Sequence, residues 1–308
     1  MKEDMKGITE QLSRRGASKL KIKEYMSEEA QSYKNLFILS ESDLGVIRNG
    51  GRRGSAYGPS AIINTLKKMS THRDPMCAQF SLRTMGSCSD FSQQQEQDIQ
   101  KLSTDLKTAN LEQTKFWHLG AGHDHVYPYL KWISQSSKKI LIINIDAHLD
   151  TRVDELPHSG TPFRQFANDF DGDLEILQLG IHDFANELSN YNELKSAKMT
   201  ILSMAQIKNE SANFSNISGL LDKYIQSPEE YKVVLSLDCD AICAEQMEAV
   251  SAVNHHGLDI DTVREIFSWY FSLAQKEKYC GIYEYNPIYD NLSNKGARVL
   301  SSLIQPFL

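Results

Sequence analysis

The sequence predicts an α/β fold, a mostly parallel sheet of about eight strands with helices on both faces, and three observations carry that prediction. Apolar runs of strand length alternate with helical patterns along nearly all of the 308 residues, the order that builds parallel sheets through helical crossovers. One run, Ile140-Leu141-Ile142-Ile143-Asn144-Ile145, is apolar on both alternate faces, as a strand covered on both sides must be. That run and a second, Val233-Val234-Leu235-Ser236-Leu237, each end in spaced acids. Polar groups therefore collect at the carboxyl edge of the sheet, where open α/β folds place their chemistry.

Composition narrows the class further. A formal charge of -7 leaves no basic footprint for nucleic acid. Neither an apolar run of about 18 residues nor a secretory apolar region appears, so the expectation is a cytoplasmic protein with no membrane partner. Five cysteines, Cys77, Cys88, Cys239, Cys243 and Cys280, are odd in number and lack zinc-ribbon spacing. A reducing compartment is the simpler reading than a disulfide framework.

Taken in order, residues 1–32 read as a polar N-terminal arm, and 33–308 as one catalytic domain. Residues 35–40 form a first strand that opens into a flexible basic loop, 45–54, before Pro59 starts a helix running to about residue 69. A weak strand at 82–85 precedes a surface helix at 92–110. The strand 115–119 leads to the turn Gly120-Ala121-Gly122-His123, where glycine permits a tight backbone, and a helix follows at 127–133. Beyond Asp150 the stretch 151–165 reads as a long loop, the kind that carries function at a strand end. Strands recur at 174–180, 199–203, 233–238 and 279–283, with helices at 187–195, 214–226, 261–275 and 291–303.

Asp146, His148 and Asp150 alternate, so an extended backbone points them the same way; Asp238 and Asp240 repeat the spacing. With His123 they make four carboxylates and two imidazoles at three strand ends, a hard, oxygen-rich set suited to Mn²⁺ and, less selectively, to other divalent ions. Two carboxylates about 4 Å apart repel by roughly 1 to 4 kcal/mol. Two divalent cations cancel four negative charges, and one does not. A single D-x-D after a strand is an ordinary turn or cap; the weight lies in three clusters together. Cys239, between two ligand positions, belongs on the opposite face as a small buried apolar residue.

The order G-A-G-H, D-A-H-L-D, S-G-T-P-F and S-L-D-C-D resembles the arginase-like ureohydrolases, binuclear manganese hydrolases, from about Gly45 to Pro287. The resemblance implies the arginase-type three-layer α/β/α sandwich and two Mn²⁺ per chain. Asp146 and Asp238 would bridge the ions, His123 and Asp150 completing one site and His148 and Asp240 the other. Glu284, in Tyr283-Glu284-Tyr285-Asn286-Pro287, matches the family's E-x-N-P carboxylate and would orient the cationic nitrogens of an amidine. A metal-bridging hydroxide would attack the amidine carbon.

Within that family the chain is most similar to formimidoylglutamase-like members. The loop Arg48-Asn49-Gly50-Gly51-Arg52-Arg53-Gly54 resembles their R-N-x-G-R segment, with Ser55 where many carry a small apolar residue. Ser159-Gly160-Thr161-Pro162-Phe163-Arg164 and Tyr285-Asn286-Pro287-x-Tyr289 are similar as well. Ser159 stands where arginases and agmatinases usually carry a histidine, and His158, one residue earlier, is a candidate proton shuttle. The pair His255-His256 has no match in the pattern. The implied substrate is N-formimidoyl-L-glutamate, cleaved to glutamate and formamide in histidine breakdown. Its carboxylates would be met by Arg48, Asn49, Arg52, Arg53, Ser159 and Arg164, since planar guanidinium donors suit carboxylates. A guanidine hydrolase releasing urea from agmatine, guanidinobutyrate or arginine is the alternative, and a non-catalytic metal-binding protein on the same fold is a further one. A homo-oligomer stays open.

Overall fold

Eight strands, all paired in parallel, form one sheet in the order β2-β1-β3-β8-β7-β4-β5-β6. They are β1 Asn35–Ser40, β2 Phe80–Thr84, β3 Lys115–Gly120, β4 Lys139–Ile145, β5 Asp173–Ile181, β6 Ala197–Ser203, β7 Lys232–Asp238 and β8 Lys278–Tyr283. The computed structural model describes residues 21–25, 34–70, 80–106, 113–195, 197–211 and 217–308.

Alternation along each strand builds two cores. Leu141, Ile143 and Ile145 of β4 join Phe37, Trp117, Leu235 and Ile282 on one face. Against that face pack α2 Gly58–Leu66, α6 Met204–Ser211, α7 Ile217–Tyr224, α8 Ile260–Ser272 and α9 Lys295–Ile304. Ile140 and Ile142, one residue out of phase, join Leu36, Phe116 and Val234 on the other, under α3 Phe91–Asp105, α4 Val126–Ser134 and α5 Pro162–Asp169. A short helix, α1 Leu44–Arg48, follows β1. With both faces buried the sheet is the middle layer of three, which is why its strands read as continuous apolar runs.

Helix ends follow local chemistry. Asp90 caps α3 by accepting from Gln93 N–H at 2.9 Å. Asp259 caps α8 in the same way through Thr262 N–H at 2.8 Å, each satisfying an orphan first-turn donor. Pro59 sits in the first turn of α2, where its missing N–H costs nothing.

Four expectations change. The helix expected at 187–195 is a single 3-10 turn, Leu188–Tyr191. Thr151 Oγ1 claims the Asn190 carbonyl at 2.6 Å, and the Arg164 guanidinium takes those of Asn192 and Glu193, so helical acceptors are already engaged. The loop read through residue 165 stops at Thr161, because Pro162 opens α5. The basic loop begins as α1 instead of open chain, and α6 had not been anticipated. Most of the expected arm, the end of the helix expected at 92–110, residues 214–216 and Cys77 lie outside the described residues. Of the arm, the turn Ile22–Tyr25 is described, with Ile22 buried in the first core.

Parallel pairing fixes where the site forms. Ile145 is in register with Leu237, Leu237 with Ile282, and Ile282 with Leu119. The four central strands β3, β8, β7 and β4 therefore end level, and the residues just past them meet over one edge.

Candidate metal centre and substrate cavity

His123 follows β3, Asp146, His148 and Asp150 follow β4, Asp238 ends β7 and Asp240 lies just beyond it. Their donor atoms form two groups, His123 with Asp146, Asp150 and Asp238, and Asp146 with His148 and Asp240. In the first, His123 Nδ1 lies 3.1 Å from Asp146 Oδ2, 2.8 Å from Asp150 Oδ2 and 3.2 Å from Asp238 Oδ2. In the second, His148 Nδ1 lies 2.9 Å from Asp240 Oδ2 and 3.6 Å from Asp146 Oδ1. Asp146 reaches both groups, one oxygen to each. Asp238 falls in the first group through Oδ2, and its Oδ1 accepts Asp240 N–H at 2.9 Å, toward the second.

The donor set fits divalent cations. His123 Nδ1 is buried and makes no directed hydrogen bond, although three carboxylate oxygens surround it. Its Nε2 is 2.8 Å from Ser236 Oγ; with the proton placed there, Nδ1 offers a lone pair toward the acids, the arrangement metal-binding imidazoles use. The ring is clamped by Tyr283, stacked at 4.9 Å, and by Phe163, edge-on at 5.3 Å. A side chain on Gly120 would drive into Tyr283, with Cβ 2.5 Å from the ring.

Electrostatics argue the same way. Burial first, and then repulsion from Asp240 and Asp146, push Asp238 well above the usual carboxylate range. Burial also raises Asp150 and Asp240, with Asp146 adding to both. Burial opposes ionisation of Asp146 as well, yet contacts with His123 and His148 hold it low. Four buried acids with two imidazoles lack positive charge, and divalent ions would supply it. Two of the residues are also held in left-handed backbone, Asp150 at φ 51° and Glu284 at φ 65°, conformations that persist only where the surroundings enforce them.

Above this floor lies a cavity of about 270 Å³, lined among others by Asn49, Gly51, His148, Asp150, Arg152, Ser159, Asn190, Ser251 and Glu284. Glu284 is buried, accepts His123 N–H at 3.1 Å, and is pushed up to about 8, chiefly by burial. On one wall Arg152 Nη1 donates to Asn49 Oδ1 at 3.0 Å, and Asn49 Nδ2 donates to Ser159 Oγ at 3.1 Å.

Several sequence assignments move. Arg164 does not line the cavity; its Nε donates to the Thr151 carbonyl at 2.7 Å, and its other donors go to backbone. Arg48 is exposed, its guanidinium 4.5 Å over Phe91 and its Nη1 on the Pro157 carbonyl at 3.1 Å. Arg52 stacks on Tyr289, and Arg53 is exposed, away from the cavity. His158 is not among the cavity-lining residues: its Nδ1 accepts Gly160 N–H at 3.0 Å and its Nε2 pairs with Asp154 at 2.8 Å. Asn49 and Ser159 do line it. Arg152, the cation among the lining residues, was overlooked. It continues the alternate series 146, 148, 150, 152, but β4 already ends at Ile145 and Asp150 takes left-handed backbone, so only tertiary structure shows which way it points. Cys239 is fully buried as expected, though it lies in the 3-10 turn Cys239–Ala241 just past β7 and not on the strand itself.

The arginase family's sequence profile matches residues 42–308. Among similar sequences, formimidoylglutamase of Klebsiella pneumoniae subsp. pneumoniae is 28% identical over 269 residues, covering 85% of this chain and 80% of that one. Among solved structures, formimidoylglutamase from Bacillus subtilis superposes with a TM-score of 0.78 at 19% identity, over 94% of this chain and 91% of that one. Trypanosoma cruzi formiminoglutamase with Mn²⁺₂ also superposes with a TM-score of 0.78, at 18% identity, over 94% and 97%.

Proposed function

The chain belongs to the arginase family, and from that premise we propose that it hydrolyses N-formimidoyl-L-glutamate to L-glutamate and formamide, using two Mn²⁺. The observation that carries this reading is the pair of donor groups sharing Asp146 on the floor of a cavity whose wall holds Arg152. The similar enzymes named formimidoylglutamase support the choice of substrate.

Two bound divalent cations would supply a nucleophile from water near neutral pH and offset charge at the attacked carbon. The chain's own groups do the rest. His123, Asp146 and Asp150 with Asp238 would hold one ion, and Asp146, His148 and Asp240 the other. Glu284 faces the cavity as a buried acid whose natural counter-charge is the substrate's amidinium, which it orients by charge-assisted hydrogen bonds. Arg152 binds a substrate carboxylate through the guanidinium donors that Asn49 leaves free. Asn49 fixes the plane of that fork, and the Ser159 hydroxyl, which accepts from Asn49, keeps its own proton to donate. This replaces Arg48, Arg52, Arg53 and Arg164 as the carboxylate contacts. No helix among the described residues is long and apolar enough to cross a membrane, and the reading places the enzyme in the cytoplasm.

The test is kcat/KM on Mn²⁺-loaded protein for N-formimidoyl-L-glutamate, with formamide as product, beside arginine, agmatine and guanidinobutyrate, with urea as product. Preference for the formimidoyl substrate is expected. A guanidino compound winning by about tenfold, some 1.4 kcal/mol of transition-state binding, would leave only the family assignment standing.

A further inference from the structure

The geometry points to Arg52 and Tyr289 as a latch that ties three cavity-lining loops together, so that Arg52 is a positioning residue and not a substrate contact. The Arg52 guanidinium lies 3.8 Å over the Tyr289 ring. Its Nη2 donates to the Val250 carbonyl, and its backbone N–H donates to Ser251 Oγ at 3.1 Å. From the third loop, Asn286 Nδ2 donates to the carbonyls of Arg52 and Arg53 at 3.2 and 3.0 Å. Gly54 closes the arrangement in left-handed backbone, φ 118°, where an added Cβ would sit 2.4 Å from Ile288 Cδ1.

Arg52, Arg53, Val250 and Asn286 lie within two residues of the wall at Gly51, Ser251 and Glu284, and Tyr289 lies five beyond Glu284 on the same loop. Arg52 Nε is buried without a hydrogen-bond partner, so stacking on the ring, and not the hydrogen bonds alone, holds the guanidinium plane. The latch also gives Glu284 its rigidity. A glutamate at φ 65° relaxes unless the chain on either side is pinned; His123 N–H pins the carboxylate, and the Asn286–Tyr289 ties pin the backbone just beyond.

The inference rests on the proposed reaction only for its kinetic readout. Arg52→Ala, Arg52→Lys, Tyr289→Leu and the double variant Arg52→Ala/Tyr289→Leu are compared with the parent by amide hydrogen exchange over residues 249–254 and 284–290, by metal content, and by kcat/KM. Tyr289 is 39% exposed, so its replacement leaves the core closed. Each single variant is expected to speed exchange in both segments and to lower kcat/KM by about tenfold, the double variant doing no more than the worse single one. Arg52→Lys, which keeps the charge but not the planar stack, should behave like Arg52→Ala, and metal content should not change. Losses that multiply in the double variant, full activity in Arg52→Lys, or a raised KM with unchanged exchange would each overturn the latch, and the last would make Arg52 a direct ligand. Should the enzyme prefer a guanidino substrate, the exchange data and the same cycle on that substrate still decide the question.

Discussion

Arg152 and Arg164 lie twelve positions apart on one stretch of chain, yet the fold gives them opposite work. Arg164 gives Nε, Nη1 and Nη2 to the carbonyls of Thr151, Glu193 and Asn192, so it fastens the loop after β4 to the loop after β5. Arg152 spends one donor on Asn49 and lies among the residues that line the cavity. Arg152→Ala should therefore raise KM for N-formimidoyl-L-glutamate, with a loss of roughly 2 to 5 kcal/mol if a substrate carboxylate is left buried and unpaired. Arg164→Ala should lower thermal stability and leave that KM within about twofold once the protein is folded, because it touches no substrate. Steady-state kinetics and melting curves on the two variants check this; a KM effect at Arg164 exceeding that at Arg152 would reverse the assignment. Sequence could name the metal-binding residues because the apolar runs put their three motifs at the ends of neighbouring strands, although Asp146, His148, Asp150 and Asp240 lie past β4 and β7 and not on alternating strand positions as the spacing suggested. It could not choose among arginines, since a guanidinium serves carbonyls, rings and carboxylates equally well and only the neighbours decide.

Among the elements, β8 begins with an uncommon group. Lys278 is buried, and its Nζ donates to the carbonyls of Leu273 at 2.6 Å and Tyr270 at 3.2 Å. These are the last carbonyls of α8, so the ammonium satisfies that helix end and opposes its dipole. Burial, with Lys115 adding, lowers its pKa to about 8. Between that value and the unfolded value near 10.4 the unfolded chain holds more protons than the folded one, so this group makes stability rise with pH across the window. Lys278→Met removes the term. The urea midpoint of the parent relative to Lys278→Met should shift in the parent's favour from pH 7 to pH 9.5; a constant or opposite difference would show that the ammonium is not penalised. All eight strands were legible in the sequence, most of them from their own apolar runs, while β2, with Ser81, Arg83 and Thr84 among its five residues, read only as a weak strand displaced to 82–85. The short helices were not: α1 and α5 are set by partners distant in the chain, as where Gly45 O accepts Ser159 N–H at 3.3 Å, and the expected helix at 187–195 lost its acceptors to Thr151 and Arg164.

For the molecule as a whole, the site is also a stress on the sheet. Four central strands end level, and at that edge the chain buries Asp146, Asp150, Asp238, Asp240 and Glu284 together. Local repulsion there acts on β3, β4, β7 and β8, which carry both cores, so relief of that repulsion should appear in global stability and not only in turnover. A ligand that binds the folded state alone stabilises it by about 2.7 kcal/mol at a hundredfold excess over its Kd. At roughly 2 °C or more per kcal/mol for a chain of this size, chelation should lower Tm by about 5 °C or more, and Mn²⁺ should restore it. Asp146→Asn, which weakens both donor groups at once, should lose most of that Mn²⁺-dependent gain. Asp238→Asn, which alters the first group in this geometry, should keep a part of it. Calorimetry with and without Mn²⁺ on the parent and both variants measures the three gains. Equal gains in all three would mean that the ions sit elsewhere, and a larger loss at Asp238 than at Asp146 would move the shared carboxylate from β4 to β7.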